Sequence, residues 1–309
     1  MKLKGKVIVA NTGDDTLTYI DIEDRKVIET VDLKKIMKRD RPNTLGPYSS
    51  FIGPYDLAYN GKNYIYCTNA YNNSVFKMNL ESKEIVDILH VGSFPTCIKY
   101  FKNHLFITNS DSNSISVIDE NQFTLLENIP VGEKPSHIEI DKDSMYVVNS
   151  NGYSINVIDL KGVGNKIIRL KNNPVKLFFM ENQLYVLSNI DNGGIYYSNI
   201  SIIDLRSYEI KESKDFKGNF SNMLKINGNE IIFITNINDG YLYRMDIKSK
   251  KLISKTYLAG MPNKLERDRE NILLISNIST NMLTLFNIES NSIIDNIKVG
   301  LEPNGILVL

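Results

Sequence analysis

The chain has 309 residues, of which 42% are hydrophobic and 9% aromatic, enough apolar surface for a large core and far from the composition of a disordered chain. Lys plus Arg and Asp plus Glu both number 36, so no global field draws the molecule to nucleic acid or to an anionic lipid surface. No run of about 18 apolar residues occurs, which excludes a membrane-spanning helix and makes membrane insertion an unexpected role.

The first residues, Met1-Lys-Leu-Lys-Gly-Lys6, lead straight into the apolar run Val7–Ala10 without a stretch of signal-peptide length, so a cytoplasmic location is the expectation. The stretch from Pro95 to Gly132 then displays the unit from which the chain is built. Apolar runs at Ile98–Phe101, Leu105–Ile107 and Ile115–Ile118, with a weaker run at Leu125–Ile129, are separated by Asn, Asp, Ser, Lys and Gly clusters. That is the pattern of four short strands joined by tight turns.

The same pattern recurs along the sequence. An Asn closes the second run of each unit, at Asn11, Asn69, Asn109, Asn149, Asn189, Asn236 and Asn277. Ten residues later an Asx ends the third run, at Asp21, Asn79, Asp119, Asp159, Asp246 and Asn287, while the fifth unit has Asp204 fifteen residues on. These Asx residues are expected to cap turns by accepting backbone N–H groups. Seven copies at a period near 40 residues, each with four strands, predict an all-β, seven-bladed β-propeller of four-stranded antiparallel blades. The second runs, such as Tyr64–Cys67, Met145–Val148 and Ile272–Ile275, are apolar at nearly every position. A strand with one wet face would alternate, so these strands need cover on both faces, which stacked blades supply.

The ends fit one closed domain spanning 1–309. Residues 303–309 make a first strand with no second strand after it, and residues 5–33 supply strands two to four with no first strand before them. Pairing the two completes blade one and removes two open edges, with residues 34–53 as an insertion and blades two to seven in 54–302. The run Leu-Phe-Ile-Thr-Asn109, the Ser/Asp/Asn turn after it, Val-Ile-Asp119 and the closing Val131-Gly132 with Pro135 resemble the YVTN repeat of YncE-like propellers over essentially the whole chain. The resemblance implies the fold and no single activity. Blade six departs from the repeat, with Ser221 near the position of the expected Pro, and blade one closes on Val31-Asp32 instead of Val-Gly.

Two insertions break the period. Residues 34–53 begin with Lys34–Asp40, which reads as a helical turn, and continue through Arg41, Tyr48 and Phe51 towards Tyr55; the second, Asp191–Asn199, carries Tyr196 and Tyr197. Strand direction alternates, so connections after strands two and four leave from the same face, and both insertions are expected there. Loops on a rigid scaffold carry binding function, and exposed aromatics anchor partners. Arg41, Tyr48, Phe51, Tyr55, Tyr196 and Tyr197 are therefore candidate contacts to a partner. Residues just after the interblade Pro, namely Asp56, Cys97, His137, Lys176, Lys264 and Gly305, begin the innermost strands. Among them Asp56, His137, Lys176 and Lys264 are candidates for a small polar ligand at a channel mouth.

His90, His104 and His137 fall on different parts of the repeat, so no histidine metal site is expected, and no phosphate-loop, nucleophile-elbow or zincin motif occurs. The chain has no Trp, which argues against a quinone cofactor docked on a Trp ring, and no cofactor is expected. Cys67 and Cys97 lie in apolar runs and read as buried thiols, with a disulfide as the alternative. The expectation is a non-catalytic binding propeller that takes a protein or small polar ligand. The alternatives are a lactonase-like hydrolase or lyase, and a structural component of a surface or spore layer.

Overall fold

The computed structural model describes residues 5–40, 51–162, 164–193, 195–226, 230–268 and 270–309. The chain forms seven four-stranded antiparallel sheets, the blades of a β-propeller. Blade one joins the C-terminal strand Pro303–Val308 to Lys6–Asn11, Thr16–Asp21 and Lys26–Asp32, with Val7 opposite Val308 and Val9 opposite Ile306. This is the closure expected from the two ends of the sequence. The other blades follow in order at Pro54–His90, Pro95–Pro130, Pro135–Arg169, Asn173–Lys217, Phe220–Tyr257 and Pro262–Lys298.

The chain divides into two compact units, Met1–Pro130 with Glu266–Leu309, and Val131–Leu265. In the first, Val7, Val9 and Ile20 pack against Leu274, Leu283 and Leu285. Ile8, Leu17 and Tyr19 pack in turn against Ile65, Phe76 and Met78 of the next blade. In the second unit, Tyr185, Leu187 and Ile200 meet Phe220, Ile232 and Ile234. Second strands are therefore covered on both faces, while fourth strands such as Thr124–Pro130 lie exposed along almost their whole length.

Local chemistry explains the repeat. The Asx after each third strand accepts backbone N–H groups as expected: Asp21 from Asp24, Asn79 from Glu81 and Ser82, Asp119 from Gln122, Asp159 from Lys161, Asp204 from Arg206, Asp246 from Ser249 and Asn287 from Ser290. The Asn after the second strand mostly does something else. Asn11, Asn69, Asn109 and Asn149 are fully buried, and each donates its amide to side chains of the third strand, as Asn109 does to Ser114 and Ser116 at 3.1 and 2.9 Å. Burial leaves no water to satisfy that amide, so the partner must come from the sheet. The Asn thus pins two strands together where a turn cap was expected.

The Val-Gly that closes blades two, three and seven serves this buried Asn. A Cβ on Gly132 would lie 2.6 Å from Asn149 Nδ2, and one on Gly92 would lie 2.6 Å from Asn109 Cγ. Gly132→Ala is expected to cost about 1–3 kcal/mol through overpacking, read as a fall in denaturation midpoint at unchanged m-value. An unchanged midpoint would remove this account of the glycine.

First strands carry a bulge close to their start, just after the opening Pro between Pro95 and Cys97 and between Pro135 and His137, and one residue further in between Pro174 and Lys176. In blade six the residue facing the second-strand Asn is Phe220, so it is Phe220, not Ser221, that stands in the proline position. The buried Phe220 ring fills that place, with Tyr243 edge-on at 5.1 Å.

Both insertions differ from simple loops. Leu33–Asp40 is a full helix with Leu33 and Met37 buried. It starts beside Asp15, and at its other end Asp40 accepts the N–H of Ile85, so it lies along the outer strand of blade two instead of standing on an axial face. Residues 41–50, with Arg41 and Tyr48, lie outside the described residues. The second insertion lengthens the hairpin of blade five: strands Gln183–Asn192 and Ile195–Asp204 pair for ten residues, out to Asn192 opposite Ile195. Extending the ladder through the β-prone Ile195, Tyr196 and Tyr197 pairs backbone groups that an open loop would leave unpaired.

Candidate functional site

In the first unit the connections after strands two and four of blades one and two build a fixed aromatic surface. Its base is Asp15, fully buried in the β-turn of blade one at φ 57°, a left-handed conformation that Asp tolerates. One carboxylate oxygen accepts the N–H groups of Ile52 and Gly53 at 2.9 and 2.7 Å, and the other pairs with Lys34 at 2.7 Å. One side chain therefore holds both ends of the first insertion. Gly53, at φ +65°, lies against the Tyr71 ring, where a Cβ would come within 2.5 Å of Tyr71 Cδ2. The Phe94 ring lies 6.3 Å from both Tyr71 and Tyr55, and Lys34 sits 4.9 Å over the Phe51 ring. Phe51 and Tyr71 are 54% and 52% exposed, so this surface is held rigid from below and open to solvent above.

In the second unit the same kinds of connection carry Tyr153, Tyr257 and Met261, all exposed. Tyr241 lies 5.0 Å from Tyr257, with Lys255 4.4 Å over its ring. Tyr243 donates to Asp239 at 2.5 Å, and burial together with that carboxylate pushes its phenol up to about 12. Of the predicted partner residues in the second insertion, Tyr196 is exposed near the hairpin tip and Tyr197 is half-buried opposite Ile190.

Of the predicted channel-mouth residues, His137 and Lys176 lie just past the bulges of their strands, Asp56 lies within the irregularity between Pro54 and Leu57, and Lys264 lies two residues after Pro262. Asp56, in the first unit, is 5% exposed, and its carboxylate accepts the N–H of Ile98 at 3.2 Å. His137, in the second unit, is equally buried, with Nε2 3.1 Å from Glu139. Lys176 and Lys264 are half-buried. Asp56 and His137 thus sit in local structural contacts, and neither presents an open acid–base group. Cys67 and Cys97 are both buried free thiols, and burial raises the Cys67 thiol well above its ordinary range. Among the described residues no three His, Cys, Asp or Glu side chains come together to hold a metal.

Phe51 and Tyr55 were legible in the sequence as surface aromatics, whereas Asp15, Lys34, Tyr71 and Phe94 were not. A signal for Phe94 exists: it precedes the interblade Pro, where blades four and one place Lys134 and Glu302. Asp15 has no such signal, because it looks like any turn residue.

Seven blades of four antiparallel strands, closed by the C-terminal strand, define the class as a seven-bladed β-propeller. Solved structures agree on that fold. The chain is similar to hydrazine synthase of Kuenenia stuttgartiensis, with TM-score 0.74, 16% identity, and coverage of 83% of this chain and 89% of that one. It is also similar to the dihydro-heme d1 dehydrogenase NirN in complex with DHE, with TM-score 0.66, 12% identity, and coverage of 98% and 75%. Apo AztD from Citrobacter koseri matches with TM-score 0.62, 10% identity, and coverage of 97% and 96%. No family model matches the chain, and no curated protein does. At such identities the likeness carries the fold alone, and the YVTN repeat stays a resemblance.

Proposed function

We propose that this propeller is a binding protein that engages a partner through the connections after strands two and four, without chemistry of its own. The observation that supports this reading is the Phe51–Tyr55–Tyr71–Phe94 surface, where Phe51 and Tyr71 are left exposed beside half-buried Tyr55 and Phe94 on a base made rigid by Asp15 and Gly53. Pre-ordered aromatic groups lose little entropy on binding and dominate interface energies. Of the nearby cations among the described residues only Lys34 lies over one of these rings, and it is paired with Asp15, so apolar and aromatic contact is what this surface offers a partner. The burial of Asp56 and His137 weighs against the hydrolase or lyase alternative, since proton transfer needs groups within reach of a substrate.

The test compares affinity capture from the native host by the wild type and by a Phe51→Ser/Tyr71→Ser double variant. Proteins captured by the wild type should be lost from the variant while its Tm stays within about 3 °C, since both rings are exposed. An unchanged set of captured proteins would overturn the assignment of this surface.

A further inference from the structure

The lower end of the blades, where the turns between strands one and two and between strands three and four lie, carries a second feature. Between blades one and two, within the first unit, is a cavity of about 210 Å³ lined by Lys6, Tyr19, Lys62, Leu80 and Lys83, with Glu81 among its lining residues. Lys6 and Lys62 have no ionic partner among the described residues, whereas Lys83 touches Glu29 and lies 5.3 Å over the Tyr19 ring. Tyr19 is 5% exposed, and among the described residues its hydroxyl has one weak partner, the thioether of Met78 at 3.8 Å. A buried hydroxyl without a proper acceptor is costly unless something else supplies one.

The neighbouring cleft, between blades two and three, shows the same place filled. There the repeat puts Lys77 where Tyr19 stands, Glu120 where Leu80 stands and Phe123 where Lys83 stands. Glu120 accepts the Tyr66 hydroxyl and the Asn60 amide and pairs with Lys77 at 3.4 Å, so that cleft neutralises itself. In the first cleft Leu80 stands in the place of that carboxylate, and Lys6, Lys62, Lys83 and Tyr19 line the space together with Glu81, Lys83 being paired with Glu29.

We propose that this cavity binds a small organic anion with a doubly charged headgroup, whose charge stands where Glu120 stands in the next cleft. The headgroup meets Lys6, Lys62 and Lys83 as point charges and accepts from Tyr19, and its carbon skeleton lies on Leu80. This inference concerns a different part of the molecule from the aromatic surface and does not depend on it.

The test is isothermal titration calorimetry of the full chain at low salt with phenyl phosphate, inorganic phosphate and succinate. Saturable one-to-one binding is expected for phenyl phosphate, weaker for inorganic phosphate, which lacks the apolar part. Lys62→Gln, an exposed change, should weaken binding about tenfold, and Tyr19→Phe by several-fold. Leu80→Glu, which installs the carboxylate of the neighbouring cleft, should abolish binding, with thermal unfolding checking that the variant is folded. Lys38→Ala, a helix charge outside the cavity, should leave affinity unchanged. Tighter binding of succinate than of phenyl phosphate supports the anion site and assigns its headgroup to a dicarboxylate. No saturable heat with any of the three at millimolar concentration, or binding that survives both Lys62→Gln and Tyr19→Phe, overturns the proposal.

Discussion

A chain ended at Glu302 is expected either to be insoluble or to melt at least about 10 °C below the full-length protein. The seven residues removed supply the first strand of blade one. Ile306 is buried with Val7, Val9 and Leu274, and Leu309 is buried in the cluster of Ile8, Leu33 and Met37. Burying each such side chain is worth about 1.5–3 kcal/mol, and the ladder from Val7–Val308 to Asn11–Pro303 goes with them. Asn304, which donates to Thr12 at 2.8 Å, is lost as well. The strand Lys6–Asn11 would then present an open edge to other chains. Adding a peptide of residues 303–309 should restore part of the lost Tm in a concentration-dependent way. A truncated chain that melts within a few degrees of the full-length protein would show that the strand is not what completes blade one.

The second large effect lies in the cleft between blades two and three. Lys77 and Glu120 each keep about 9% of their side-chain surface, and Lys77 also donates to the Glu120 carbonyl at 2.9 Å and sits 4.5 Å over the Tyr64 ring. Lys77→Met removes the cation and leaves a buried carboxylate, which should cost about 3–5 kcal/mol in urea unfolding. Adding Glu120→Leu should recover part of that loss, because the unpaired charge goes, while the buried Tyr66 hydroxyl and the Asn60 amide lose their acceptor. A double variant as unstable as Lys77→Met alone would mean that Glu120 does not owe its cost to the missing lysine.

The same pair sets a pH dependence. Burial acts to raise the Glu120 carboxyl, but the Tyr66 hydroxyl, the Lys77 charge and the Asn60 amide outweigh it and hold the carboxyl below the usual range. A carboxylate lowered in the folded state stabilises the fold fully above its unfolded value of about 4.3, and loses that contribution as pH falls through the lower folded value. The acid limb of the stability curve below about pH 4.3 should therefore be shallower in Glu120→Gln than in the wild type.

Much of this architecture can be read from one dimension. The period near 40, the Asx after each third strand and the unpaired strands at the two ends follow from local chemistry: turns need particular residues, and doubly covered strands need unbroken apolar runs. The helical start of the first insertion was legible, but its packing and the form of the second insertion were not, because extra length alone does not say how it will be absorbed. Blade five absorbed it as more ladder, through Ile190 and Ile195, and blade one as a helix whose Met37 face completes a core begun by Ile8 and Phe76. The candidate surface was half legible for a similar reason. Phe51 and Tyr55 stand out within their own segment, but Tyr71 and Phe94 matter only through Gly53 and each other, over sequence distances that no local pattern reports.

What the sequence determined by itself is the count of blades, the strands within each and the way the first blade is completed, since those depend on side-chain periodicity and turn residues acting over a few positions. The tertiary structure alone decided which Asn amides meet a hydroxyl, which carboxylate gathers the ends of the first insertion at Asp15, and which cleft is filled by Lys77 and Glu120 while its neighbour stays open at Tyr19. Those are matters of what adjacent blades present to each other, and an energy that depends on two distant segments cannot be read from either one.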